Sequence, residues 1–134
     1  MSKLFGPEAA TPAGRARIKQ ELLATLQALL KSKNEGGADI RIENLAQPKA
    51  AAEYRPDGII AFAPKSAGES DQDLAETMVH EHAHAGAHAK DGWYLDRGDN
   101  PFQNLQGQLY PFTFDNAVTN ADTLARSVTT LANN

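Results

Sequence analysis

Cysteine is absent from the 134 residues. That removes disulfides, thiolate nucleophiles and cysteine-based zinc sites together, and it leaves histidine, aspartate and glutamate as the strong metal ligands. A basic excess is absent too: 13 Lys and Arg stand against 17 Asp and Glu, for a formal net charge of -4 and a pI near 5.5. Such a surface gives a phosphate backbone or an anionic lipid no electrostatic reward, so no nucleic-acid partner is expected. No stretch approaches the roughly 18 apolar residues that a membrane span needs. Residues 1–14 also lack the apolar centre of a secretory signal. The chain is therefore expected to be cytoplasmic as made, and to leave the cell, if it does, by a route that reads no cleavable signal.

What is present suits one domain. A chain of this length with 41% hydrophobic residues can bury one modest core, so residues 1–134 are read as a single domain, with 1–10 as a flexible leader. Thr11 followed by Pro12 reads as an N-cap and first helical residue, and Ile18, Leu22, Leu26, Leu29 and Leu30 then recur as one helical face. Asn34-Glu35-Gly36-Gly37 ends that helix. Ile40 and Ile42 alternate with Arg41 and Glu43 as in a half-buried strand, and the apolar run Gly58 to Ala63, closed by Pro64, suits a second strand. Ser70, with Asp73 three residues on, resembles a capping box opening a long helix that turns Leu74, Met78 and Val79 inward. A looser segment rich in Gly, Asp and Asn follows from about Gly86 to Pro111. A last helix then places Val118, Ala121, Leu124, Val128 and Leu131 on one side. The fold class expected is α+β, with a short sheet and the functional site between the second and third long helices.

All four histidines fall between positions 80 and 88. On a helix His80 and His84 lie one turn apart and point the same way, so two imidazole nitrogens can converge on one tetrahedral ion. Glu81 then stands beside the metal without ligating it, placed to take a proton from a water that zinc acidifies and to pass it to a leaving amine. This is the H-E-x-x-H arrangement, written here as His80-Glu81-His82-Ala83-His84. His82 points about the opposite way and reads as a surface or packing histidine. His88 shares the face of His84 but lies too far along a straight helix to close on the same ion, unless Gly86 ends the helix early.

A catalytic zinc needs a third protein ligand. After Glu81 the chain contains no glutamate, and the position six residues past His84, where some zinc peptidases carry a third histidine, holds Lys90. The third ligand is therefore expected to be an aspartate, and the candidates are Asp91, Asp96, Asp99, Asp115 and Asp122.

His80-Glu81-His82-Ala83-His84, Asp91-Gly92-Trp93-Tyr94 and Asn120-Ala121-Asp122, in that order over the second half of the chain, resemble the deuterolysin-like or aspzincin metallopeptidases. That group includes lysine-specific metalloendopeptidases and toxin domains of bacterial secretion systems. The resemblance implies a small zincin-like domain whose active-site helix packs near a C-terminal helix. It further implies that His80, His84 and Asp91 bind Zn2+, that Glu81 is the base, and that Tyr94 hydrogen-bonds the tetrahedral intermediate. Asp122 would line the pocket for the residue after the cleaved bond. Where the family has Gly-Thr before the aspartate, this chain has His88-Ala89-Lys90, and Leu95 replaces a glycine. Asp96 is the rival third ligand. Three residues after Asp122, where lysine-specific members carry an acidic residue, stands Ala125. Trp93 and Tyr94 have a second reading as aromatics closing the core.

The function expected is that of a zinc metalloendopeptidase acting on a protein or peptide substrate. The resemblance also implies a secreted effector or toxin, with a secretion-system or immunity partner. The alternatives are a non-catalytic, metal-stabilised binding module that retains the site for structure, or a surface histidine cluster with incidental metal affinity.

Overall fold

A computed structural model describes residues 2–45, 50–95, 102 and 108–132. In chain order its elements are α1 (Ser2–Phe5), a 3-10 turn (Pro7–Ala10), α2 (Pro12–Asn34), β1 (Ile40–Ile42), β2 (Ala52–Tyr54), β3 (Ile60–Phe62), a second 3-10 turn (Pro64–Gly68), α3 (Asp71–Ala87), α4 (Phe114–Val118) and α5 (Ala121–Ala132). Helices and a small mixed sheet make the α+β domain that the sequence pattern predicts.

Local chemistry explains the boundaries. Thr11 Oγ1 accepts a hydrogen bond from Gly14 N–H at 3.0 Å and caps α2, with Pro12 as its first residue. The helix ends where Gly36 and Gly37 take positive φ and Gly37 N–H bonds back to Ser32 O. Ser70 Oγ accepts from Asp73 N–H and caps α3. At the other end His88, in the left-handed conformation, terminates α3 after Ala87.

β3 occupies the centre of the sheet, parallel to β1 and antiparallel to β2. Its three residues Ile60, Ala61 and Phe62 are all buried, which is why this run reads as continuous apolar sequence. β2 was not foreseen. It is three residues long, Ala52-Glu53-Tyr54, too short to show an alternation, and it owes its conformation to pairing with β3.

Three further expectations are corrected. Residues 2–10 form α1 and a 3-10 turn, with Phe5 fully buried and Ala9 buried in the main core, so the segment expected as a flexible leader is part of the fold. The inner face of α2 is also rotated from the leucine stripe. Ile18 is buried as expected, but Leu26 and Leu30 are exposed while Gly14, Thr25 and Ser32 are buried. The cause is close helix packing: a Cβ on Gly86 of α3 would lie 2.2 Å from Ala24 O and 2.9 Å from Ala28 Cβ, so small residues rather than leucines face α3. Finally, the single last helix predicted is broken at Thr119–Asn120 into α4 and α5. Val118, Ala121 and Leu124 are buried, Val128 is half-buried, and Leu131 is exposed. Thr123, Ser127 and Thr129 fill the buried face of α5 in its place, beside an Arg126–Glu76 ion pair at 2.6 Å that joins α5 to α3.

The helix crossing carries a stability prediction. Gly86→Ala would improve intrinsic helix propensity by about 1 kcal/mol, yet the clash with α2 should outweigh it and leave the protein about 1–3 kcal/mol less stable. Urea unfolding of the two proteins measures the sign directly; an unchanged or raised midpoint would show that α2 and α3 do not meet as described.

Candidate metal centre

α3 presents His80, Glu81 and His84 at one place, each offering an atom within 4.8 Å of the others. The two imidazoles lie 5.0 Å apart, edge to face at 75°. Both Nε2 atoms point at the same oxygen, Asp91 Oδ1, at 2.9 Å from His80 and 3.1 Å from His84. Glu81 Oε1 is farther from the same two nitrogens, at 3.8 and 4.0 Å. Of the three described aspartates among the five open as a third ligand, Asp91 is the one placed against both imidazoles. Asp115 is exposed and lies beside Arg17, and Asp96 and Asp99 lie outside the described residues.

The far side of each ring is also held. His80 Nδ1 lies 3.2 Å from Asp122 Oδ1, and His84 Nδ1 lies 2.6 Å from the Ala89 carbonyl. Acceptors at Nδ1 fix the tautomer and ring orientation that leave Nε2 for a metal. Asp122, which the resemblance places at a substrate pocket, stands directly behind His80 and orients its ring. Its second oxygen accepts from Leu95 N–H at 2.7 Å, so both carboxylate oxygens are engaged within the protein.

The loop after α3 is positioned by Asn120, to which no role had been assigned although it opens the Asn120-Ala121-Asp122 segment. Fully buried, its Oδ1 accepts from Gly92 N–H (2.9 Å) and Trp93 N–H (3.2 Å), and its Nδ2 donates to Trp93 O and Thr123 Oγ1. Trp93 follows the core reading: it is buried against Phe102 and Phe112. Tyr94 turns the other way and stacks on His80, with ring centroids 5.9 Å apart and planes within 12°. His82 is a packing histidine, 1% exposed, bridging Met78 O and Asp39 Oδ2, while Asp39 Oδ1 accepts from Ser32 Oγ. His88 caps the helix, exposed and away from the site.

Charge and burial combine unusually here. Burial alone would lower the His80 pKa, but its hydrogen bonds to Asp122 and Asp91 outweigh that and push it up to about 10. The same balance raises His84, with Asp91 as its partner. Asp91, which burial would raise, is held far below the ordinary carboxylate range by the two imidazoles, and Asp122 is lowered by His80. Glu81 goes the other way: burial lifts its pKa against the pull of His80 and His84. Among the described residues its buried Oε2 has no hydrogen-bond partner. Tyr94 is raised by burial and by the surrounding Asp91, Glu81 and Asp122, so its hydroxyl keeps its proton.

His80, Glu81 and His84 offer ligand atoms close enough together to hold a metal ion, with Asp91 Oδ1 against both imidazoles and each ring held from behind. No family model matches the chain, and neither a curated protein nor a solved structure is significantly similar to it.

The metal-free protein should show these couplings in its pH dependence. A raised His80 pKa contributes stability that is complete below 6.5 and is lost as pH rises through about 10. The depressed Asp91 contributes stability present above 3.8 and lost as pH falls below it. Thermal midpoints in chelator should therefore decline from pH 6.5 to 10, and Asp122→Asn should flatten that decline. Identical slopes for the two proteins would show that Asp122 does not hold His80.

Proposed function

We propose that the chain is a zinc-dependent endopeptidase of the deuterolysin-like or aspzincin kind. The observation that carries the reading is the pairing of two imidazoles whose Nε2 atoms converge on Asp91 Oδ1 while Asp122 and Ala89 O hold their Nδ1 atoms. His80, His84 and Asp91 would hold the ion, an N,N,O set of the kind that binds catalytic zinc. Zinc bound there supplies acidification of water and polarisation of a carbonyl.

The remaining steps belong to side chains. Glu81, its carboxyl pKa raised by burial, takes a proton from the attacking water and delivers it to the leaving amine. Tyr94, kept protonated, donates from its hydroxyl to the carbonyl oxygen as negative charge develops there. Because Tyr94 stacks on His80, the donor and the ligand share one wall of the site. A metal used only to stabilise a binding module would gain nothing from a buried carboxylate oxygen without a partner, and that orphan oxygen favours catalysis. Delivery as an exported effector with an immunity partner is part of the same proposal and rests on the resemblance alone.

Digestion of a peptide library with added zinc tests this. Glu81→Gln should keep its zinc and lose activity by about 10²–10⁴-fold, and Tyr94→Phe should lower kcat with little change in KM. His80→Ala and His84→Ala should lose zinc, whereas His82→Ala should retain it. Cleavage that survives both Glu81→Gln and chelation would contradict the proposal.

A further inference from the structure

Each of the two imidazoles has a tyrosine lying flat on it. Tyr94 covers His80, and Tyr54, on β2, covers His84 with ring centroids 6.3 Å apart and planes within 15°. These separations and angles are those of offset-stacked aromatic pairs. Tyr54 reaches the site from the sheet, well before the histidine motif in sequence. We propose that Tyr54 is a positioning residue for His84, fixing the plane of its imidazole so that Nε2 is aimed at the metal.

The proposal rests on the zinc reading of the site. Among the described residues His84 Nδ1 has one hydrogen-bond partner, the Ala89 carbonyl at 2.6 Å. A single hydrogen bond sets the tautomer but leaves the ring free to swing about that contact; a flat aromatic face beside it removes the freedom. His80 has the equivalent pair of constraints from Asp122 and Tyr94, so the two ligands are built to one plan from different elements. The support for Tyr54 is rigid. Its backbone stands opposite Ile60, which is fully buried in the central strand. The next residue closes the hairpin, with Arg55 N–H bonded to Ile59 O and Gly58 N–H to Arg55 O. The sheet thereby takes part in holding the metal ligand, through the ring of Tyr54 rather than through its hydroxyl.

Zinc affinity, measured by competition with a chromophoric chelator, separates the ring from the hydroxyl. Tyr54→Phe should bind zinc as the wild type does, and Tyr54→Ala and Tyr54→Leu should bind about tenfold more weakly or worse. Cobalt(II) in the Ala and Leu variants should also show altered visible absorption, a readout that a merely structural loss would not move. Tyr54→Leu keeps apolar bulk on β2, so it decides the matter if Tyr54→Ala fails to fold. Wild-type affinity and spectrum in folded Tyr54→Leu would overturn the proposal while leaving the metal centre intact. Failure of the wild type to bind zinc would overturn both together.

Discussion

Two main-chain hydrogen bonds join the loop after α3 to the start of α5: Lys90 N–H to Thr119 O, and Ala121 N–H to Lys90 O, each at 2.9 Å. The rest of the site depends on this short bridge. It sets Asp91 beside the two imidazoles, brings Asn120 under Gly92 and Trp93, and leaves Asp122 behind His80. The break between α4 and α5 makes the bridge geometrically possible, because an unbroken helix would have its Thr119 carbonyl and Ala121 amide committed within itself. A helix that looks interrupted is thus the element that assembles the centre.

The electrostatic consequence is a buried cluster in which acids and imidazoles answer one another. Asp91 and Asp122 stay ionised because His80 and His84 can carry positive charge, and the histidines are raised because the carboxylates are there. A metal ion bound there would offer the same carboxylates the same compensation while displacing protons from the Nε2 atoms, so that metal loading would release protons. Glu81 stands apart from this balance. It is buried 3.8 and 4.0 Å from the nitrogens, and among the described residues one of its oxygens has no hydrogen-bond partner, the feature on which the proposed role as base rests.

Much of this was legible in the sequence, and the legible part is local. Helical spacing alone puts His80 and His84 on one face and turns His82 away, and capping chemistry marks Thr11 and Ser70 as helix starts. Contacts between distant segments were harder to see. Spacing alone left Asp91 among several aspartates and only the family resemblance singled it out, since in the structure the Lys90–Asn120 bridge is what places it. Asn120 looked like part of a motif with no task, and the bonds of Asp122 to His80 and Leu95 were not visible because those partners lie on other segments. Tyr54 gave no signal at all: its strand is three residues long and exists through pairing with β3. The leucine stripe of α2 misled because close packing at Gly86 selects small side chains over large ones, a choice that hydrophobic periodicity does not encode.

The central claim is that His80 and His84 ligate one metal ion through Nε2 together with an aspartate. X-ray absorption at the zinc edge of the loaded protein tests it most directly. The account predicts a low-coordinate shell of nitrogen and oxygen at about 2.0–2.2 Å containing two imidazole rings, reduced to one ring in His84→Ala. An all-oxygen shell without imidazole scattering, unchanged by that substitution, would contradict it.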